Sequence, residues 1–91
     1  MLPQERAYRM LKSVPLPVAD IYVPVKLRAT LEPAKVEALA ESILEQGQQS
    51  PIQVRRDKER YVLVTGLHRL EAVRSLGEKT VDALIVSARR V

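Results

Sequence analysis

Val36, Leu39, Ala40, Ile43 and Leu44 fall at i, i+3, i+4, i+7 and i+8, and this one-sided stripe constrains the fold more than any other feature of the chain. Glu37, Glu41 and Glu45 take the opposite side. Pro33 suits the first helical turn, where its missing N–H goes unused, and Gly47 offers a left-handed cap at the far end. A helix with one apolar face needs another layer to cover it. The flanking segments are strand-sized. Residues 18–23 read as a first strand closed by Pro24, Ile52-Gln53-Val54 alternates as a half-buried strand does, and residues 81–86 supply a last strand. Tyr61-Val62-Leu63-Val64-Thr65 is near-continuously β-prone and predicts an interior strand buried on both faces.

Between these lie an extended stretch at 25–31 carrying Lys26 and Arg28, and a polar turn at Arg56-Asp57-Lys58-Glu59. Gly66 breaks the β-prone run, and a second helix fits residues 67–76, with Leu70, Val73 and Leu76 inward and Gly77 beyond its end. The order β-α-β-β-α-β predicts an α+β domain: a small mixed β-sheet with two main helices packed on it. Pro15 and Pro17 close off a basic arm over residues 1–13, which is expected either to fray or to dock on a protein partner, and the domain occupies 14–91.

Composition removes several function classes. The 91 residues suffice for one small core. No cysteine is present, which excludes disulfides, thiolate metal sites and thiol catalysis. One histidine argues against a His-rich metal centre, so no metal site is expected. Three tyrosines without Phe or Trp disfavour a stacking platform for single strands. No apolar run approaches the roughly 18 residues of a membrane span. Glu5, Arg6, Arg9 and Lys12 interrupt any signal-peptide core, and a cytoplasmic setting is expected.

The chemistry concentrates at Thr65-Gly66-Leu67-His68-Arg69. A strand that stops at glycine and passes straight into a helix exposes backbone N–H groups at the positive end of the helix dipole, which is an anion site. Gly66 leaves room for an oxyanion, Arg69 offers a fork of donors matched to phosphate, and His68 adds a further donor. Lys35, Ala38 and Ser42 share a stripe on the first helix, with Lys35 in the first turn, where a cation is unfavourable unless an anion lies nearby. The bland alternatives are a helix cap with a surface arginine and a solvated lysine.

Together, Leu31-Glu32-Pro33-Ala34-Lys35-Val36, Ser42-Ile43, Pro51-Ile52 and Gly66-Leu67-His68-Arg69 followed by Glu71-Ala72 resemble the ParB/sulfiredoxin superfamily over residues 18–86. The resemblance implies binding of ATP or another NTP, with Mg²⁺, in bacterial DNA partition (plasmid partition included) or regulation. Lys35 and Ser42 would approach the nucleotide from the first helix; Gly66, Leu67, His68 and Arg69 would hold its phosphates; and Arg28 falls near the arginine of a family nucleotide motif. Leu67 stands where sulfiredoxins place their reactive cysteine, so sulfinic acid reduction is excluded. Ala38 replaces a hydroxyl of that family, and His68 stands where ParB proteins usually carry an arginine. A free serine kinase shares the fold, but residues 23–31 hold no carboxylate to match its catalytic glutamate.

Weak NTPase activity would have only His68 as an imidazole to move a proton. Two further readings stay open. Arg55, Arg56 and Lys58, with Arg60, Arg89 and Arg90, form a basic cluster suited to a DNA backbone or a weak nuclease, although Asp57 and Glu59 interleave with it and favour a solvated hairpin. The last reading is a catalytically silent domain that recruits a protein through residues 1–13.

Overall fold

The computed structural model describes residues 12–48 and 50–86. In chain order they form strand β1 (Val14–Pro17), a 3-10 turn (Val18–Asp20), strand β2 (Ile21–Tyr22), the one-turn helix α1 (Val25–Arg28), helix α2 (Pro33–Gln46), strands β3 (Ile52–Asp57) and β4 (Arg60–Thr65), helix α3 (Leu67–Ser75) and strand β5 (Thr80–Val86). The five strands make one mixed sheet in the order β1-β5-β3-β4-β2. β1 and β4 run antiparallel to β5 and β3 respectively, while β3–β5 and β2–β4 are parallel. This is the expected α+β architecture, a small mixed sheet carrying two main helices, with a third, one-turn helix added.

The differences lie at the start of the chain. Pro15 and Pro17 do not end a segment but sit inside β1. They are two residues apart and therefore point their nitrogens the same way, leaving Val14 and Leu16 to pair with β5 from an edge position where proline is tolerated. The strand expected at 18–23 is a 3-10 turn followed by two strand residues, and the stretch expected to be extended at 25–31 begins with the α1 turn. Most of the arm 1–13 lies outside the described residues, as do Arg89 and Arg90.

Helix α2 begins at Pro33 and ends at Gly47 (φ 79°), as its punctuation predicts. Its apolar stripe is seated less deeply than periodicity suggests. Val36, Leu39, Ala40 and Ile43 are half-buried, none is fully buried, and Leu44 is 73% exposed. The cause is layering: α2 packs chiefly on α3 rather than on the sheet. Helix α3 contributes Leu67, Leu70, Ala72 and Val73 to the buried set. It ends in a Schellman turn, with the Glu78 N–H donating to the Val73 carbonyl (3.2 Å) and the Gly77 N–H to the Arg74 carbonyl (3.0 Å). The core joins Leu67, Leu70 and Val73 to Ile52, Val54, Leu63, Val81, Ala83 and Leu16. β4 is interior, as expected, but buried on both faces only at Val62 and Leu63; Val64 and Thr65 are exposed.

One side chain extends the sheet. The Gln48 amide donates to the Asp82 carbonyl (3.0 Å) and accepts from the Asp82 N–H (3.0 Å), and it also donates to the Ser50 carbonyl (2.8 Å). It thereby satisfies β5 backbone just before β3 begins to pair with that strand.

Candidate functional site

The junction between β4 and α3 is shaped first by packing. Gly66 has φ 107° and caps α3 in the left-handed region. A Cβ built there would lie 2.7 Å from Ile52 Cγ2, 2.9 Å from Ile52 Cβ and 3.1 Å from Ile52 Cα. The glycine is thus required by the close passage of β3, independently of any ligand. Among the described residues no side chain caps α3, so the N–H groups of its first turn lie at the positive end of a nine-residue helix without a capping side chain.

His68 turns toward α2. Its Nε2 accepts the backbone N–H of Glu32, the N-cap residue of α2, at 2.9 Å. That bond makes Nε2 the unprotonated nitrogen and leaves Nδ1 as the ring's donor. It also fastens the starts of α2 and α3 side by side. Lys35 belongs to the same corner: its N–H donates to the Glu32 carbonyl (3.0 Å) and its Nζ lies 3.6 Å from Glu32 Oε2. The anion that a first-turn lysine calls for is therefore present within the chain as the Glu32 carboxylate. Both side chains are about 60% exposed, at 62% and 60%, so this pair is a weak, water-screened one.

Ser42 is half-buried and two turns further along α2, roughly 10 Å from Lys35 at 1.5 Å per residue. Arg69 is half-buried, and among the described residues its guanidinium has no hydrogen-bond or ion-pair partner. It projects roughly 200° around α3 from Leu67. Leu67 is 6% exposed and turns into the core and the floor of a cleft, where Arg28 also lies. Arg28 donates to the Val23 carbonyl at 3.1 Å. The nominated residues therefore divide: His68 and Lys35 meet at Glu32, Leu67 and Arg28 line the cleft, and Arg69 leaves α3 on the opposite flank. Glu32 belongs to the Leu31–Val36 motif but is not among the site residues nominated from the sequence, although its position directly before Pro33 marks it as the N-cap.

The hairpin arginines have partners of their own. Arg56 donates to the Tyr61 hydroxyl (3.1 Å) and stacks over that ring at 5.4 Å, while Arg60 sits 4.1 Å over the Tyr22 ring and 3.8 Å from Asp57. Arg55 and Lys58 have none among the described residues. Lys58 takes a positive φ of 59° in the β3–β4 turn. Among the described residues no group of three His, Asp or Glu side chains is placed to hold a metal ion. No helix among them is long and apolar enough to cross a membrane.

The family model of the ParB N-terminal domain matches residues 4–90. The chain belongs to the ParB N-terminal domain family. Among solved structures, sulfiredoxin from Arabidopsis thaliana is similar to this ParB N-terminal domain at TM-score 0.75 and 33% identity, over 84% of this chain and 85% of that one. The C-terminally truncated chromosome-partitioning protein ParB from Caulobacter crescentus, complexed with CTP-gamma-S, matches at TM-score 0.73 and 30% identity, over 85% of this chain and 45% of that one. SbnI from Staphylococcus aureus, also C-terminally truncated, matches at TM-score 0.72 and 26% identity, over 87% of this chain and 32% of that one. This ParB N-terminal domain thus spans less than half of those last two chains. No curated protein sequence matches it. The likeness to sulfiredoxin is one of fold, since this chain has no cysteine with which to run thiol chemistry.

Proposed function

We propose that this ParB N-terminal domain binds a nucleoside triphosphate, with ATP the first candidate, and serves DNA partition or its regulation in a bacterial cytoplasm. The phosphates would lie at the uncapped start of α3, against the N–H groups of Leu67, His68 and Arg69. The observation that carries this reading is the 2.9 Å bond from Glu32 N–H to His68 Nε2, which ties the N-cap of α2 to the first turn of α3; an anion lying between the two starts would be favoured by both dipoles. The Arg69 guanidinium, without a partner among the described residues, would close on the phosphates from one flank. Lys35 would exchange its exposed Glu32 partner for a phosphate oxygen. Ser42, roughly two turns along α2, would reach the nucleoside end. A Mg²⁺ ion would be carried chiefly by the phosphates, and Glu32 is the carboxylate beside them that would meet it. The relative complexed with CTP-gamma-S supports a nucleotide as the ligand class and makes CTP the competitor to test.

Calorimetric titration of ATP, CTP and GTP with Mg²⁺ tests the reading. Arg69→Ala should weaken binding by about 1.5–3 kcal/mol, the worth of a hydrogen bond to a charged group, and Lys35→Ala by less because its site is wetter. Unchanged affinity in both variants, or no binding of any nucleotide, refutes the assignment.

A further inference from the structure

The β3–β4 hairpin carries charge that the phosphate site does not use. Arg55, Arg56, Lys58 and Arg60 stand there against two carboxylates, Asp57 and Glu59. Strand register sorts them. Val54 pairs with Leu63 and both belong to the core, so Arg55 and its partner Val62 lie on the opposite face of the sheet. Arg60, two residues before Val62, shares that face, as does Tyr22, which pairs with Val62 from β2. Arg55 and Arg60 are diagonal neighbours across the two strands, roughly 7–8 Å apart, a spacing close to that of successive phosphates along one strand of a duplex. Val62, between Arg55 and Tyr22, is 3% exposed, so no apolar floor opens beside the two arginines.

These cations are held in place but not neutralised. The Arg60 guanidinium lies 4.1 Å over the Tyr22 ring, and Arg56 lies 5.4 Å over the Tyr61 ring and donates to its hydroxyl at 3.1 Å. Stacking fixes a guanidinium and leaves most of its N–H donors free in the plane. The 3.8 Å pair between Arg60 and Asp57 is exposed and weak. Arg55 is half-buried, and neither it nor Lys58 has a partner among the described residues. The turn also carries strain. Asp57 pairs with Arg60, which makes Lys58-Glu59 a two-residue loop, and Lys58 adopts φ 59° in it, where glycine, asparagine or aspartate sits with less strain. A strained lysine at the tip of a basic hairpin points to a use for its charge. The concavity around the turn is lined by Asp57, Lys58, Glu59 and Arg60, all of them charged. Such a surface suits a partner held by charge. Both tyrosine rings already carry a guanidinium over one face, which makes them poor platforms for unpaired bases.

We infer that the β3–β4 hairpin is a sequence-independent grip on the backbone of duplex DNA, with successive phosphates met by Arg55 and Arg60 and a further one by Lys58 at the tip. None of these three residues belongs to the proposed nucleotide site, so the inference stands apart from that reading.

The test is fluorescence anisotropy of a labelled duplex of about 20 base pairs, titrated with the whole chain between about 50 and 200 mM salt. Three phosphate contacts predict a log–log slope of affinity on salt of about −3. A duplex of unrelated sequence should bind equally well, and a single strand of the same length more weakly. Lys58→Gly should make the slope shallower by about 1, while its thermal midpoint stays equal or rises because glycine relieves the left-handed φ. A variant that binds less and is no less stable has not lost DNA through unfolding. Glu59→Gln should tighten the duplex by removing a competing carboxylate. Nucleotide affinity should be unchanged in both variants, so failure of this inference and failure of the nucleotide reading are told apart. No binding of the duplex at the lowest salt, a slope near zero, or an unaltered slope in both Lys58→Gly and Arg55→Gln would overturn the inference. So would tighter binding of the single strand, a preference between the two duplex sequences, or polyglutamate bound as tightly as the duplex, which would replace DNA with an acidic protein.

Discussion

Replacing Gly66 with alanine separates a glycine needed for packing from one kept for a ligand. Two costs apply. The left-handed φ of 107° penalises any Cβ by about 1–2 kcal/mol. The new methyl would also stand 2.7 Å from Ile52 Cγ2, a clash that side-chain rotation cannot relieve, because Ile52 Cβ and Cα are themselves only 2.9 and 3.1 Å away. Ile52 is 0% exposed and paired within β3, so β3 and α3 must part to admit the methyl. Overpacking of this kind costs about 1–3 kcal/mol, giving a total of about 2–5 kcal/mol. Gly47 and Gly77 provide the control: each has φ 79°, and a Cβ at either meets nothing within 4 Å. Their alanine variants should lose only about 1 kcal/mol.

Urea unfolding of the three variants measures the difference directly, and thermal unfolding should show Gly66→Ala melting at least about 8 °C below the parent. If Gly66→Ala matches Gly77→Ala to within about 0.5 kcal/mol, the packing argument fails. The glycine would then be explained by what approaches it from outside.

Other expectations follow from single contacts. His68→Ala removes the acceptor of the Glu32 N–H and should cost about 1 kcal/mol, with faster hydrogen exchange at the Glu32 amide and little change in β3. Gln48→Ala strips both Asp82 backbone groups of their partner and should cost about 1–3 kcal/mol in urea, with the Asp82 amide losing protection. Ile43→Ala should cost about 1–2 kcal/mol, below the fully buried range because the side chain is only half-buried, whereas Leu44→Ala should stay within about 0.5 kcal/mol. Equal losses at 43 and 44 would mean that α2 is seated differently.

Elements punctuated by their own residues were legible in the sequence. Pro33 and Gly47 bound α2, Gly66 and Gly77 bound α3, and the β3–β4 hairpin is marked by β-branched runs on either side of a charged turn. The start of the chain was not, because its pieces are held by distant partners. β1 exists through pairing with Val81 and Ala83, and the Val18 N–H is satisfied by the Lys79 carbonyl; neither leaves a local periodicity. Prolines that read as terminators are compatible with a strand once both fall in the same phase at an edge. The candidate site was legible as residue types at a strand–helix junction, and its division into two flanks of α3 was not. Three consecutive residues, Leu67, His68 and Arg69, leave α3 at 100° steps, and only the packed helix shows that Leu67 meets the cleft and His68 meets α2.

The shallow seat of α2 ties fold and site together. The helix that bears Lys35 and Ser42 buries no side chain fully, whereas α3 buries four. What holds α2 is half-buried packing against α3 and the bond from its own N-cap to His68. Local stability follows buried apolar contact, so α2 is the main helix expected to open with least cost. An anion gripped jointly by the two helix starts would add contacts that the core does not provide, and would stabilise the helix that carries Lys35 and Ser42. On this reasoning His68 is a positioning residue before it is anything else: it sets where Lys35 stands relative to the α3 amides. A proton-transfer role would have to use Nδ1, since Nε2 is already engaged.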